Sequence, residues 1–143
     1  MRRFIRILGN QKGAVTVEMG FFMLIFSFLI IGAIDYATVA ESSAELSNAL
    51  RAGEQFALSQ PGNSNGITDT IKSGSTLPPG DISASTNVFC ECNRQIAICS
   101  STCPGTMSMY VSMSASSRIP LLFTYPGVAN PFPVNKTIAV RVQ

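Results

Sequence analysis

Polar and apolar positions along the chain fall into three regimes, each predicting a different element. From Ala14 to Ile34, twenty-one residues carry one charge, Glu18, which stands directly before sixteen uncharged residues. Wound as an α-helix this run is about 31 Å long, enough to cross a hydrocarbon core of about 30 Å. Periodicity then continues without the hydrophobic saturation. Val39, Ser43, Leu46, Leu50, Gly53 and Ala57 step by three and four, predicting one small-to-medium buried face, while Glu41, Glu45, Arg51 and Glu54 fall largely away from it. The pattern runs to Ser59-Gln60-Pro61-Gly62, a helix-end signal. One helix of roughly forty-five residues is expected, half in lipid and half outside it.

Beyond Pro61 the pattern changes. Residues 61–82 are rich in Gly, Ser, Asn and Pro and predict a loop, with at most a helical turn near Thr68–Lys72. Residues 83–143 alternate as strands do. Ser83–Cys92 reads as one strand. Thr106–Ser116 is the clearest, with Met107, Met109, Val111, Met113 and Ala115 set against Ser108, Tyr110, Ser112 and Ser114. Lys136–Val142 alternates again, whereas Ile119–Val134 holds four prolines and fits a loop or an edge strand. The methionine row reads as a core face, since Met is a common core filler. The predicted class is α+β: a long N-terminal membrane helix over residues 14–36, its continuation over 37–60, and a small antiparallel β domain.

Charge sharpens the orientation. Four of the ten basic residues, Arg2, Arg3, Arg6 and Lys12, precede Gly13, leaving six against eight acidic residues beyond it. That distribution leaves no basic patch for nucleic acid, whose binding depends on cationic contacts to phosphate. A basic cluster before an apolar helix instead places the amino end in the cytoplasm and residues after Tyr36 outside it. The chain has no His, no Gly-rich phosphate loop and no nucleophile elbow. Neither an enzyme nor a cofactor is therefore expected, and Asp69, Asp81 and Glu91 read as solvated surface acids.

Cys90, Cys92, Cys99 and Cys103 fall within fourteen residues. An even, clustered set in an exported chain predicts two disulfides. The spacing C-x-C then C-x3-C, without His, is not that of a zinc knuckle, so no metal is expected. Cys90 and Cys92 point the same way on one strand and are poor partners for each other. If the chain folds back through Asn93–Ile98, the nested pairs Cys90–Cys103 and Cys92–Cys99 come within reach, although three connectivities remain open.

Glu18 admits three explanations. An acid in the first turns of a helix is favoured by the macrodipole, typically by about 0.3–1 kcal/mol. A secretory signal cut after Ala40 would need an overlong leader with Glu18 and Asp35 on its flanks, which argues against it. A prepilin-type signal is cut between Gly13 and Ala14 with the apolar helix retained. Cutting there makes Glu18 the fifth residue of the mature chain and frees an α-amine on Ala14, largely cationic near neutrality. Each charge is costly to leave unpaired inside a helical bundle. Pairing Glu18 with the amine of a neighbouring subunit would then set the axial register between stacked helices.

The basic leader, Gly13-Ala14-Val15-Thr16-Val17-Glu18, the apolar run ending in Asp35-Tyr36 and the later Ala49-Leu50-Arg51-Ala52-Gly53 resemble TadE-like minor pseudopilins of the tight-adherence (Tad/Flp) pilus system. The resemblance is specific over residues 9–58 and loose beyond. It implies that residues 1–13 are removed by a prepilin peptidase and that Glu18 serves processing and assembly. It also implies partners: other pilin or pseudopilin subunits, the Tad inner-membrane assembly machinery, and membrane lipid. The implied place is the bacterial inner membrane, crossed once with the C-terminal domain periplasmic, or the extracellular pilus itself. The implied role is structural, in assembling, initiating or anchoring a Flp-type pilus used in adherence and biofilm formation. Met19 departs from the aromatic that often follows the Glu in the family. Two alternatives are a type II secretion-like pseudopilin, whose usual Phe and Thr-Leu-x-Glu start is absent here, and a membrane-tethered periplasmic binding module.

Overall fold

The computed structural model describes residues 11–78 and 80–143, with the side chains of residues 11–14 left aside. The fold is α+β, with the element order α1 (Gln11–Ser59), α2 (Ser64–Ser73), β1 (Ile82–Cys92), β2 (Gln95–Ala97), β3 (Met107–Ile119) and β4 (Phe132–Arg141). The chain forms two compact units, the first ending at Ala37 and the second running from Thr38 to Gln143.

In the first unit the apolar run is helical, and its side chains are solvent-exposed all round. Thirteen large apolar side chains between Val15 and Ile34 are exposed, Val17 and Phe21 by 76 and 66 %. A helix apolar on every side is a membrane span or the centre of a larger assembly. Length and composition suffice for a membrane crossing. Removing such side chains from water is worth on the order of 20 kcal/mol in total. The Ser27 hydroxyl donates to the Met23 carbonyl at 2.7 Å, which satisfies this polar group within the helix, as a hydrocarbon environment requires.

In the second unit the helix continues as an amphipathic rod. Leu46, Ala49, Leu50 and Ala57 are wholly buried, with Val39 packed against the same cluster. The buried serine is Ser42, not Ser43 as the stripe predicted. Ser42 still satisfies its hydroxyl by donating to the Thr38 carbonyl at 2.9 Å, so burying it leaves no orphaned donor.

The segment expected to be a loop contains a ten-residue helix, α2. Asn63 caps it, its side chain accepting from the Gly66 N–H at 3.0 Å, and Ile67 and Ile71 turn its one apolar stripe inward. Close approach of α1 and α2 depends on Gly53. A Cβ there would stand 2.5 Å from Ile71 Cγ1 and 3.4 Å from Met113 Sδ. Only a bare backbone lets α2 and β3 both pack at that turn. Gly74, likewise, lies close to Ala49 and Ala52. Ala49, Ala52 and Gly53 therefore form a packing seam of small residues.

The sheet is antiparallel, in the order β2-β1-β3-β4. Its inner face follows the predicted alternation. Val111, Met113, Ala115 and Ile119 on β3 are buried between Ile82, Ala84 and Val88 on β1 and Val134, Ile138 and Val140 on β4. Of the methionine row, Met113 is wholly buried in this core, whereas Met107 and Met109, opposite Cys92 and Cys90, are half-buried. Strand β4 starts earlier than the alternation indicated, at Phe132, and takes in Pro133. This is an edge strand, and Pro133 falls at a position whose nitrogen faces away from β3, so no ladder bond is lost. The outer face is a mat of short polar side chains, with Ser85 and Ser114 bonded across strands at 2.7 Å. Phe89 and Tyr110 stack beyond them, their centroids 5.4 Å apart.

The core is modest. Two inner-face hydroxyls, on Thr86 and Ser117, are buried with no hydrogen-bond partner among the described residues, each a cost of about 1–3 kcal/mol. A domain with so small a margin gains from covalent bracing.

Candidate functional site

Two places in the chain carry chemistry: the entrance to the apolar helix and the cysteine knuckle. At the entrance, Gly13 and Ala14 already lie within α1, and the basic residues Arg2, Arg3 and Arg6 lie outside the described residues. Glu18 is exposed. Four residues separate it from Ala14, one helical turn, so the two positions share a face. The carboxylate therefore projects from the side of an apolar rod, on the face where a cut at Gly13–Ala14 would expose an amine. Asp35, at the other end of the run, is buried at 4 % exposure and does not lack a partner, while Tyr36 beside it is 77 % exposed. A buried carboxylate at this point was not foreseen from the sequence, which marked Asp35 only as the end of an apolar run.

All four cysteines are consumed in two disulfides, Cys90–Cys99 and Cys92–Cys103. This crossed pairing corrects the nested one. The reason is a tight two-residue hairpin. Asn93 and Arg94 both adopt positive φ, 52 and 67°, the signature of a type I′ turn. That turn sets Cys92 opposite Gln95 and Cys90 opposite Ala97. Cys99 is then two residues past Cys90's partner, but four past Cys92's, about 13 Å along a strand. It can reach only the former. The chain turns at Ile98–Ser101 and returns over the hairpin to deliver Cys103 to Cys92. Gly105 permits the return, because a Cβ there would collide with the Asn93 side chain. Ile96 and Ile98 are left on the outside, 81 and 75 % exposed.

On the outer face of the sheet, an open recess of about 540 Å³ is lined by Glu91, Asn93, Arg94, Tyr110 and Arg141 among others. Among the described residues, no group of three or more His, Cys, Asp or Glu side chains is placed to hold a metal ion.

Comparison with known protein families, characterised proteins and solved structures finds no match to this chain. The class rests on the architecture alone. A long apolar N-terminal helix that continues into a small antiparallel β domain with disulfides is a pilin-like arrangement. Its helix is of a kind that anchors or targets a chain to a membrane, and its disulfides are of a kind that persist outside the cytoplasm.

Proposed function

We propose that this chain is a structural minor pseudopilin of the TadE-like kind, not an enzyme. A prepilin peptidase removes residues 1–13, cutting between Gly13 and Ala14 on the cytoplasmic side of the bacterial inner membrane. Residues 14–36 remain as the membrane span, and the disulfide-braced domain faces the periplasm. The retained helix packs against other pilin-like helices and, with the Tad inner-membrane machinery, helps to assemble, initiate or anchor a Flp-type pilus for adherence and biofilm formation.

The observation that carries this reading is the position of Glu18. It stands exposed one turn beyond Ala14, at the mouth of a helix whose apolar side chains lie open on every side. Lipid alone has no use for a carboxylate there, whereas a neighbouring subunit with a free Ala14 amine does. Opposite charges 4 Å apart are worth about 4 kcal/mol at an effective dielectric of 20, before desolvation is subtracted. Ala33, Ala37, Ala40 and Ala44 stand exposed along the helix at steps of four, three and four, a small-residue face that supports close helix packing.

Blocking the cut tests the proposal. Gly13→Leu is expected to leave the leader attached, seen as an unprocessed mass in the membrane fraction, and to abolish filament assembly in cells carrying only that variant. Filaments formed normally by the variant, or a leader still removed from it, would contradict the reading.

A further inference from the structure

The connection between β3 and β4 has an order and a composition that the pilus role does not explain. From Pro120 to Pro131 it contains no charged residue. Leu122, Phe123 and Val128 are 72, 41 and 40 % exposed. The loop is nonetheless built. The Asn130 side chain accepts from the Leu121 N–H at 3.0 Å and donates to the Leu121 carbonyl at 3.2 Å, clamping the two ends together. A turn closes from the Val128 N–H to the Tyr125 carbonyl, with Gly127 at φ 81°. Phe123 and Tyr125 meet edge to face at 5.3 Å. Apolar side chains held outward by such bracing are placed for contact with something apolar.

Geometry within the second unit says where the loop points. The chain after α1 retraces that helix backwards: Gly66 lies against Phe56, Ile71 against Gly53, and Gly74 against Ala52 and Ala49, after which Thr76 donates to Glu45. It is therefore heading towards Thr38 when β1 begins at Ile82. Because β3 is antiparallel to β1, it ends at that same end of the unit, and β4 starts there. Met113 is level with Gly53. The strand from Met113 to Ile119 covers about 20 Å, and the helix from Gly53 back to Thr38 covers about 22 Å. The loop thus lies towards the Thr38 end of the unit, where the chain joins the apolar span.

We propose that the 120–131 loop is a second membrane contact: it seats Leu122, Phe123 and Val128 in the interfacial layer of the leaflet from which the helix emerges. Tyr125 supplies an amphipathic ring of the kind favoured at that depth, and exposed Arg118 at the base of the loop can face lipid phosphate. The contact would fix the height and tilt of the domain on the bilayer while the span waits for partner helices. This inference rests on the apolar helix crossing a membrane.

The chain has no Trp, so one introduced indole reports its own surroundings. Three full-length variants, Phe123→Trp, Ile96→Trp and Phe22→Trp, would be reconstituted into phosphatidylcholine–phosphatidylglycerol vesicles whose acyl chains carry bromine either near the headgroup or at mid-chain. The indole at 123 is expected to lose most of its emission to shallow bromine and less to deep bromine. The indole at 96, on the cysteine knuckle, should keep its emission with both lipids, and the one at 22 should be quenched most by deep bromine. Leu122→Trp provides a second reporter should the Phe123–Tyr125 contact be needed for folding. If Phe22→Trp is quenched while neither loop reporter is, the inference is overturned and the membrane span stands. If the loop reporters are shielded from both bromolipid and aqueous iodide, protein and not lipid covers the loop, which also overturns it. Quenching at none of these positions removes the span and the inference together.

Discussion

Changing Glu18 to Ala leaves the chain inserted and its outer domain folded, but lowers incorporation into filaments about tenfold or more. The variant removes one partner of the proposed inter-subunit pair and strands the other, the Ala14 amine, in a low-dielectric bundle. Of the roughly 4 kcal/mol of attraction between the charges, a net third is enough for a tenfold effect. Glu18→Gln should fail in the same way, because it keeps the shape and loses the charge. Glu18→Asp should recover part of the function. Quantifying surface filaments against the amount of variant in the membrane provides the readout. Normal filaments from Glu18→Ala would show that the acid serves only its own helix, where the expected loss is no more than about 1 kcal/mol.

The second large effect concerns the cysteine knuckle. Each bridge closes a short loop, nine residues for Cys90–Cys99 and eleven for Cys92–Cys103, worth about 2–3 kcal/mol in the chain-entropy model. The loops overlap, so the two contributions are not independent. Replacing all four cysteines with Ala should destabilise the outer domain by about 3–5 kcal/mol, lowering its melting temperature by about 15 °C or more. The bridges also hold the return segment over the hairpin, so their loss should release residues 98–106 to protease first. Thermal melting followed by circular dichroism, with and without reductant, checks this. An unchanged melting temperature would mean that the hairpin turn and the core alone hold the sheet.

What was legible in the sequence follows from how local each cause is. The apolar run, the stripe through Leu46, Leu50, Gly53 and Ala57, and the alternation of β3 are properties of consecutive residues, and each appears in the structure where the period placed it. The exchange of Ser43 for Ser42 shows the limit of that reading, since neighbouring serines leave a helical stripe ambiguous by one position. Helix α2 was hidden because its surroundings are Gly, Ser and Asn and its apolar stripe is only Ile67 and Ile71, too few to establish a period. The crossed disulfides depended on one turn. Asn93-Arg94 has no Gly, so nothing in the residue types announced two consecutive positive φ values. Had that turn been recognised, the strand register would have excluded the Cys92–Cys99 pair. The Asn130 clamp and the burial of Asp35 arise from residues brought together by the fold, and no local pattern carries them. The prolines of the 119–134 segment, by contrast, marked a loop or an edge strand, and the segment holds both, a loop and then the start of edge strand β4 at Phe132.

Gly53 and Glu18 show two distinct kinds of constraint in one helix. The first is answered inside the chain, where Ile71 and Met113 leave no room for a side chain. The second faces outward from its own helix, and its proposed counterpart belongs to another subunit. That difference makes the amino end the decisive place to look. The most direct measurement is the amino-terminal residue of the protein isolated from the membranes of cells that make it. Ala14 is the expected result. Met1 would contradict the account by showing a plain anchor with no liberated amine, and Glu41 would contradict it by showing secretory cleavage and a domain released from its helix.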